Sequence, residues 1–245
     1  MKLQQKLFFY LVTAFMFFTV IGTLSHEFGH IIVAKTLGYE TTLHFGSMNH
    51  YPKGFYNDTI VKEYKELTAL NKKNFDKNVN YPDEERLKEL HFLILDKYPN
   101  NRSDSNLITM GGPLQTFLTS ILGLFLLYYF KTAKQFSFRI KDWFAVFLSL
   151  FALREIFNFV VGLYSFLFLE TKFFNGDEFK LSRNFGFNQW VVPIITMLIG
   201  AIICIYVVFK VLPNKYRISF LIAGFLGGII GFILWFNYLG KLMLP

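Results

Sequence analysis

Residues 7–35, LFFYLVTAFMFFTVIGTLSHEFGHIIVAK, decide the fold. From Leu7 to Ser25 the run carries no charged residue, and it then places His26, Glu27 and His30 within five positions. About 20 apolar residues cross the hydrocarbon core of a bilayer. Ionisable groups inside such a run are expensive and mark function by default. Five runs of this kind can be read, at 7–34, 107–130, 143–169, 190–209 and 218–240. They predict an all-α polytopic membrane protein with about five transmembrane helices. The composition agrees: 53% of the 245 residues are hydrophobic and 32 are Phe, too oily for an ordinary soluble surface. The first run leads straight into the histidines without a small-residue cleavage pattern, so it reads as a retained helix rather than a signal peptide. The single cysteine, Cys204, excludes an intrachain disulfide.

Three regions follow: 1–38 with the first helix, a polar insert at 39–106, and four further helices in 107–245. The insert holds ten Lys or Arg and eleven Asp or Glu, so it is nearly neutral and well solvated. It is expected to be partly helical. Pro82, Asp83, Glu84 and Glu85 make a helix start. Leu87, Leu90, Ile94 and Tyr98 then share a face with His91, read as a packed histidine. In the last run Gly224 and Gly228, four apart, permit close helix packing. The net charge of +8 does not indicate nucleic acid, because outside the insert the cations cluster at helix ends, as bilayer anchors do. Nine Lys or Arg fall on the N-terminal side of the spans and five on the other side, the long insert excluded. That bias predicts a cytoplasmic N-terminus, in a multi-pass protein of a bacterial cytoplasmic membrane.

His26 and His30 sit one helical turn apart, about 6 Å along the axis, so both imidazoles can reach one metal ion. Glu27 flanks that face, near enough to touch a metal-bound water. This is the H-E-x-x-H arrangement of zinc hydrolases, with the Glu as general base. With five His in the chain, chance gives about 0.004 occurrences of the pattern. The bland alternative, two buried histidines satisfied by neighbours, needs three sets of polar partners in lipid. A catalytic zinc takes about three protein ligands plus water. The carboxylate candidates are Glu155, Glu170, Asp177 and Glu178. Alternation of the spans puts the end of the first helix, the start of the second and the loop 170–189 on one face, which favours Asp177. Arg154, Glu155 and Asn158, in the stretch REIFN, read as a buried polar network.

"HEFGH" in the first helix, "GGP" opening a later helix and an acidic residue in a later loop resemble the site-2 protease family of intramembrane zinc metalloproteases. The resemblance covers roughly 15–50, 107–130 and 150–185, and not the insert. It implies one Zn2+ held by His26, His30 and Asp177, with Glu27 as the base. In "GGPLQT", Gly111, Gly112 and Pro113 match the family's glycine-proline motif. Thr116 stands where the family usually carries Asn, a position for substrate or transition-state binding. "FFNGDEF" supplies Asp177 without the family's Pro, and Asn158 lies too far upstream to reproduce the family spacing. "TTLHFGSMNH", 41–50, occupies the place of a strand-like loop near the family's active site. There His44, Phe45 and Gly46 are expected near the substrate, docked by strand addition. His44 and His50 themselves read as surface or packing residues. The expected function is hydrolysis of peptide bonds in membrane-embedded or membrane-proximal substrates. The rival is a non-catalytic zinc-binding membrane protein, a pseudoprotease or a transporter or assembly subunit. A di-iron lipid oxidase needs about eight clustered histidines and fails by count.

Overall fold

A computed structural model describes residues 3–75, 84–99 and 101–244. Pro82 and Asp83, the expected helix start, lie outside them. Helix α1, Gln5–Thr36, is about 48 Å long at 1.5 Å per residue. It stops where Gly38 takes a left-handed φ of 86° and the Tyr39 amide closes back on the Ala34 carbonyl at 3.0 Å. Strands β1, Glu40–Leu43, and β2, Met48–Tyr51, then pair antiparallel, with Glu40 opposite Tyr51 and Leu43 opposite Met48. The turn residues of 41–50 thus fall in the middle of the stretch.

Helices α2, Thr59–Phe75, and α3, Glu84–Lys97, pack together. Leu90 is fully buried between them, and Arg86 pairs with both carboxylate oxygens of Glu63 at 2.8 and 3.0 Å. Asp58 bonds the Tyr98 hydroxyl at 2.7 Å. His91, expected on the packed face, is exposed beside the ring of Tyr64. The leucine stripe alone suffices to face α2, and an imidazole at its margin keeps its hydration.

Helix α4, Arg102–Tyr129, begins five residues before its apolar run. The Asn101 side chain caps it, accepting from the amides of Ser103 and Asp104. The Gly-Gly-Pro motif, expected to open this helix, therefore lies inside it. Helix α5, Ile140–Phe168, contains a tightened turn at Leu150–Ala152. Helix α6, Asp177–Asn184, is short; α7, Val191–Val211, and α8, Asn214–Met243, complete the chain.

Among the described residues five helices, α1, α4, α5, α7 and α8, are long and apolar enough to cross a membrane. Their mean hydropathy runs from 1.5 to 2.8, yet only 17–39% of the most apolar 18-residue stretch of each is buried inside the protein. Surfaces so apolar and so exposed require lipid, and helices satisfy their own backbone groups there. The chain is a membrane-embedded multi-pass protein. Its core is aromatic. Phe15 meets Phe147 and Phe220 edge-on at 4.8 and 5.0 Å. Helix α8 approaches α1 through Gly227 and Gly231, where an added Cβ would sit 2.5 Å from the Val12 carbonyl oxygen and 2.9 Å from the Met16 Cα. Of the expected Gly224–Gly228 pair, Gly224 also faces α1, an added Cβ there lying 3.0 Å from the Phe15 ring, whereas Gly228 faces open space.

One end of the bundle collects the end of α1, the hairpin, the start of α4, helix α6 and the end of α8. The Phe45 amide bonds the Leu244 carbonyl at 3.1 Å, and the Trp235 indole bonds the Phe45 carbonyl at 2.6 Å. Arg102 reaches the Asn184 carbonyl at 3.0 Å. The segment 170–189, read as a loop, instead folds back into the bundle. Phe179 is buried against Gly162, beside Phe174 and Trp190, which sets the depth of Asp177.

Candidate functional site

The site begins with a backbone contact. Helices α1 and α4 cross at Gly29 and Gly111, each so close to the other's carbonyl that a Cβ on either would overlap it. That approach lays His26 and His30 of α1 directly over Gly112. A Cβ on Gly112 would collide with the Nε2 atoms of both imidazoles. The absent side chain is what leaves the two nitrogens a common space.

Second partners fix each ring. The Nδ1 of His26 lies 3.0 Å from the Thr116 hydroxyl, which donates to the Gly112 carbonyl at 3.2 Å. The Nδ1 of His30 lies 2.7 Å from the Ile108 carbonyl. The Gly112 amide is also 3.2 Å from this nitrogen. The shorter contact decides the tautomer, because a carbonyl can only accept. With the Thr116 proton directed to Gly112, Nδ1 of His26 is a donor as well. Both neutral rings then aim an Nε2 lone pair into the site, the arrangement of metal-ligating histidines whose other nitrogen is held.

Asp177, the first residue of α6, meets these lone pairs. Its Oδ2 is 3.0 Å from Nε2 of His26 and 3.1 Å from Nε2 of His30. Three acceptors converging on one point need a proton or a cation between them, so the donor set fits a metal ion. Glu27 completes the cluster: His26, Glu27 and His30 each offer a ligand atom within 4.8 Å of the others. These three are 0%, 5% and 6% exposed. On the far side of Glu27, an Nη2 of Arg154 stands 3.9 Å from its carboxylate.

Of the other carboxylate candidates, Glu170 is exposed at a positive φ of 50°, away from the histidines. Glu178 points to Asn158, whose amide donates to it at 3.4 Å. Glu155 is buried with neither carboxylate oxygen bonded among the described residues. Asn158 thus holds the neighbour of Asp177 and does not touch the histidines. Pro113 is buried inside α4.

A cavity of about 550 Å³ opens from the cluster toward the hairpin. Glu27, His30, Arg154, Asn158 and Asp177 line its floor, and Gly46, Ser47, Met48 and His50 its mouth. Of the hairpin residues singled out in the sequence, Gly46 borders the cavity. Phe45 clamps the turn to α8, and the His44 ring lies against Asn49 at 3.2 Å. The parts played by the Ile108 carbonyl and Gly29 are not legible in the sequence. A backbone acceptor leaves no mark in side-chain identity, and Gly29 is visible only as a small residue between the histidines. Arg154 was legible as part of a polar network but not as the neighbour of Glu27. Comparison with protein-family models, characterised proteins and solved structures finds no match to this chain.

Proposed function

We propose that this protein is an intramembrane zinc metalloprotease of the site-2 type. The observation that carries the reading is the convergence of two oriented Nε2 atoms and the Asp177 carboxylate beside Glu27, inside apolar helices and at the floor of a cavity. Two imidazoles and one carboxylate, with space left on one side, suit catalytic zinc better than a closed structural site. Zinc, when bound, supplies a Lewis acid that brings the pKa of water to about 7. Glu27 takes the proton from the attacking water and returns it to the departing amine. Thr116 and the Ile108 carbonyl hold the two imidazoles in register. The hairpin stands at the mouth with Met48 and His50 on the cavity side, so an extended substrate segment can pair along β2. A helical substrate hides the peptide bond, and strand pairing would hold it open.

The ligand assignment is tested by two variants. Asp177→Ala should reduce zinc content and cleavage of a single-span model peptide together, by at least about tenfold. Glu155→Ala should keep its zinc. If the Glu155 variant loses the metal and the Asp177 variant keeps it, the third ligand belongs to α5.

The Lys and Arg bias favours a cytoplasmic N-terminus, which places the cavity mouth on the opposite face, in a bacterial cytoplasmic membrane. In a chain with Cys204 replaced, Ser103→Cys should react with an impermeant thiol reagent on intact cells and Ser137→Cys should not. The reverse pattern inverts the orientation.

A further inference from the structure

We propose that Arg154 is a further catalytic residue, one that donates to the carbonyl oxygen of the scissile peptide as negative charge develops on it. The assignment rests on the protease reading above. Peptide hydrolysis needs such a donor, because the electron pair of the carbonyl moves onto oxygen when water attacks, and donors aimed at that position are among the largest catalytic contributions. The resemblance assigns a polar role of this kind to the position of Thr116, but here that hydroxyl is committed to His26 and the Gly112 carbonyl, away from the cavity. The Asn158 amide is turned to Glu178. Lys180 lines the cavity only at its exposed side.

Arg154 remains. It leaves the tightened turn of α5 at Leu150–Ala152 and enters the cavity floor beside Glu27. At 3.9 Å its contact with Glu27 is longer than a hydrogen bond. Its Nε is sealed from solvent and has no hydrogen-bond partner among the described residues. A guanidinium carries five donors in a rigid fork, and one held beside the general base with donors in hand is placed for the substrate rather than for the fold. A cation at this depth is expensive in a membrane helix, which argues for use.

The step balances without a further reactant. The water oxygen bonds to the carbonyl carbon and its proton passes to Glu27. The carbonyl pair moves onto oxygen, where an Arg154 N–H meets it. The pair then returns, the C–N bond breaks, and Glu27 gives its proton to the nitrogen.

The alternative is that Arg154 only balances the charges of Glu27 and Glu155, in which case any cation will do. Arg154→Gln and Arg154→Lys separate the two in the zinc-loaded full chain, with a single-span model peptide as substrate. The Gln variant should keep its zinc and lose about 10²–10³-fold in kcat, with KM within about threefold. The Lys variant should recover only part, staying about tenfold or more below wild type. A phosphinic peptide of the same sequence, which presents a tetrahedral oxyanion, should bind the Gln variant about tenfold or more weakly, while the uncut amide binds as before. Unchanged kcat in the Gln variant, full recovery by Lys, or zinc loss that tracks kcat in both variants would overturn the assignment. Should the Gln chain not fold, a Lys variant at wild-type kcat overturns it alone. If wild type and Glu27→Gln clear the peptide equally slowly, the protease reading itself fails, and this assignment with it.

Discussion

Glu27→Gln is expected to leave zinc bound and to lower cleavage by about 10²–10⁴-fold, the range that a positioned general base contributes. The substitution is nearly isosteric, and Glu27 holds no part of the contact between the histidines and Asp177, so the ligand set is left as it stands. What disappears is the group that accepts the proton of the attacking water. Burial keeps bulk water from replacing it, since Glu27 is 5% exposed. The check is turnover of the model peptide alongside zinc content on the same preparation. A Gln variant that cuts near the wild-type rate contradicts the mechanism. One that loses its zinc shows that Glu27 belongs to the ligand set.

The second large effect is expected at Gly112. Gly112→Ala puts a methyl group into the space shared by the two Nε2 atoms, so the imidazoles must part. Zinc should be lost, and activity with it. Alanine favours a helix interior over glycine by about 1 kcal/mol, so α4 itself should not unravel. Gly228→Ala is the control, because Gly228 faces open space and its substitution should leave both metal and activity unchanged. Thermal unfolding of the two variants, followed with zinc content, separates a local clash from general misfolding. If Gly112→Ala binds zinc as wild type does, the packing between α1 and α4 described above is wrong.

How much of this was legible in the sequence depended on the kind of signal. The five spans were readable because a helix in lipid must be apolar around its whole circumference, and no tertiary contact is needed to see that. His26, Glu27 and His30 were readable because their spacing is set by one helix. Asp177 could be brought to them only through topology, across about 150 positions of chain, and the structure places its carboxylate against both imidazoles. Helix boundaries followed caps rather than hydropathy: Asn101 starts α4 ahead of its apolar run, which moved Gly-Gly-Pro from the opening of the helix to its interior. Close approaches were the least legible. Gly224 and Gly228 have the same chemistry and spacing as Gly227 and Gly231, and only the direction of α1 leaves Gly228 alone of the four in open space. Exposure of His91 likewise depended on where α2 lies.

Metal content of the purified protein tests the central claim most directly. Wild type, isolated without chelators and washed of loosely held ions, should carry one zinc per chain, and His26→Ala should carry almost none. Wild type without zinc, or equal zinc in both, would contradict a metal centre built on His26, His30 and Asp177.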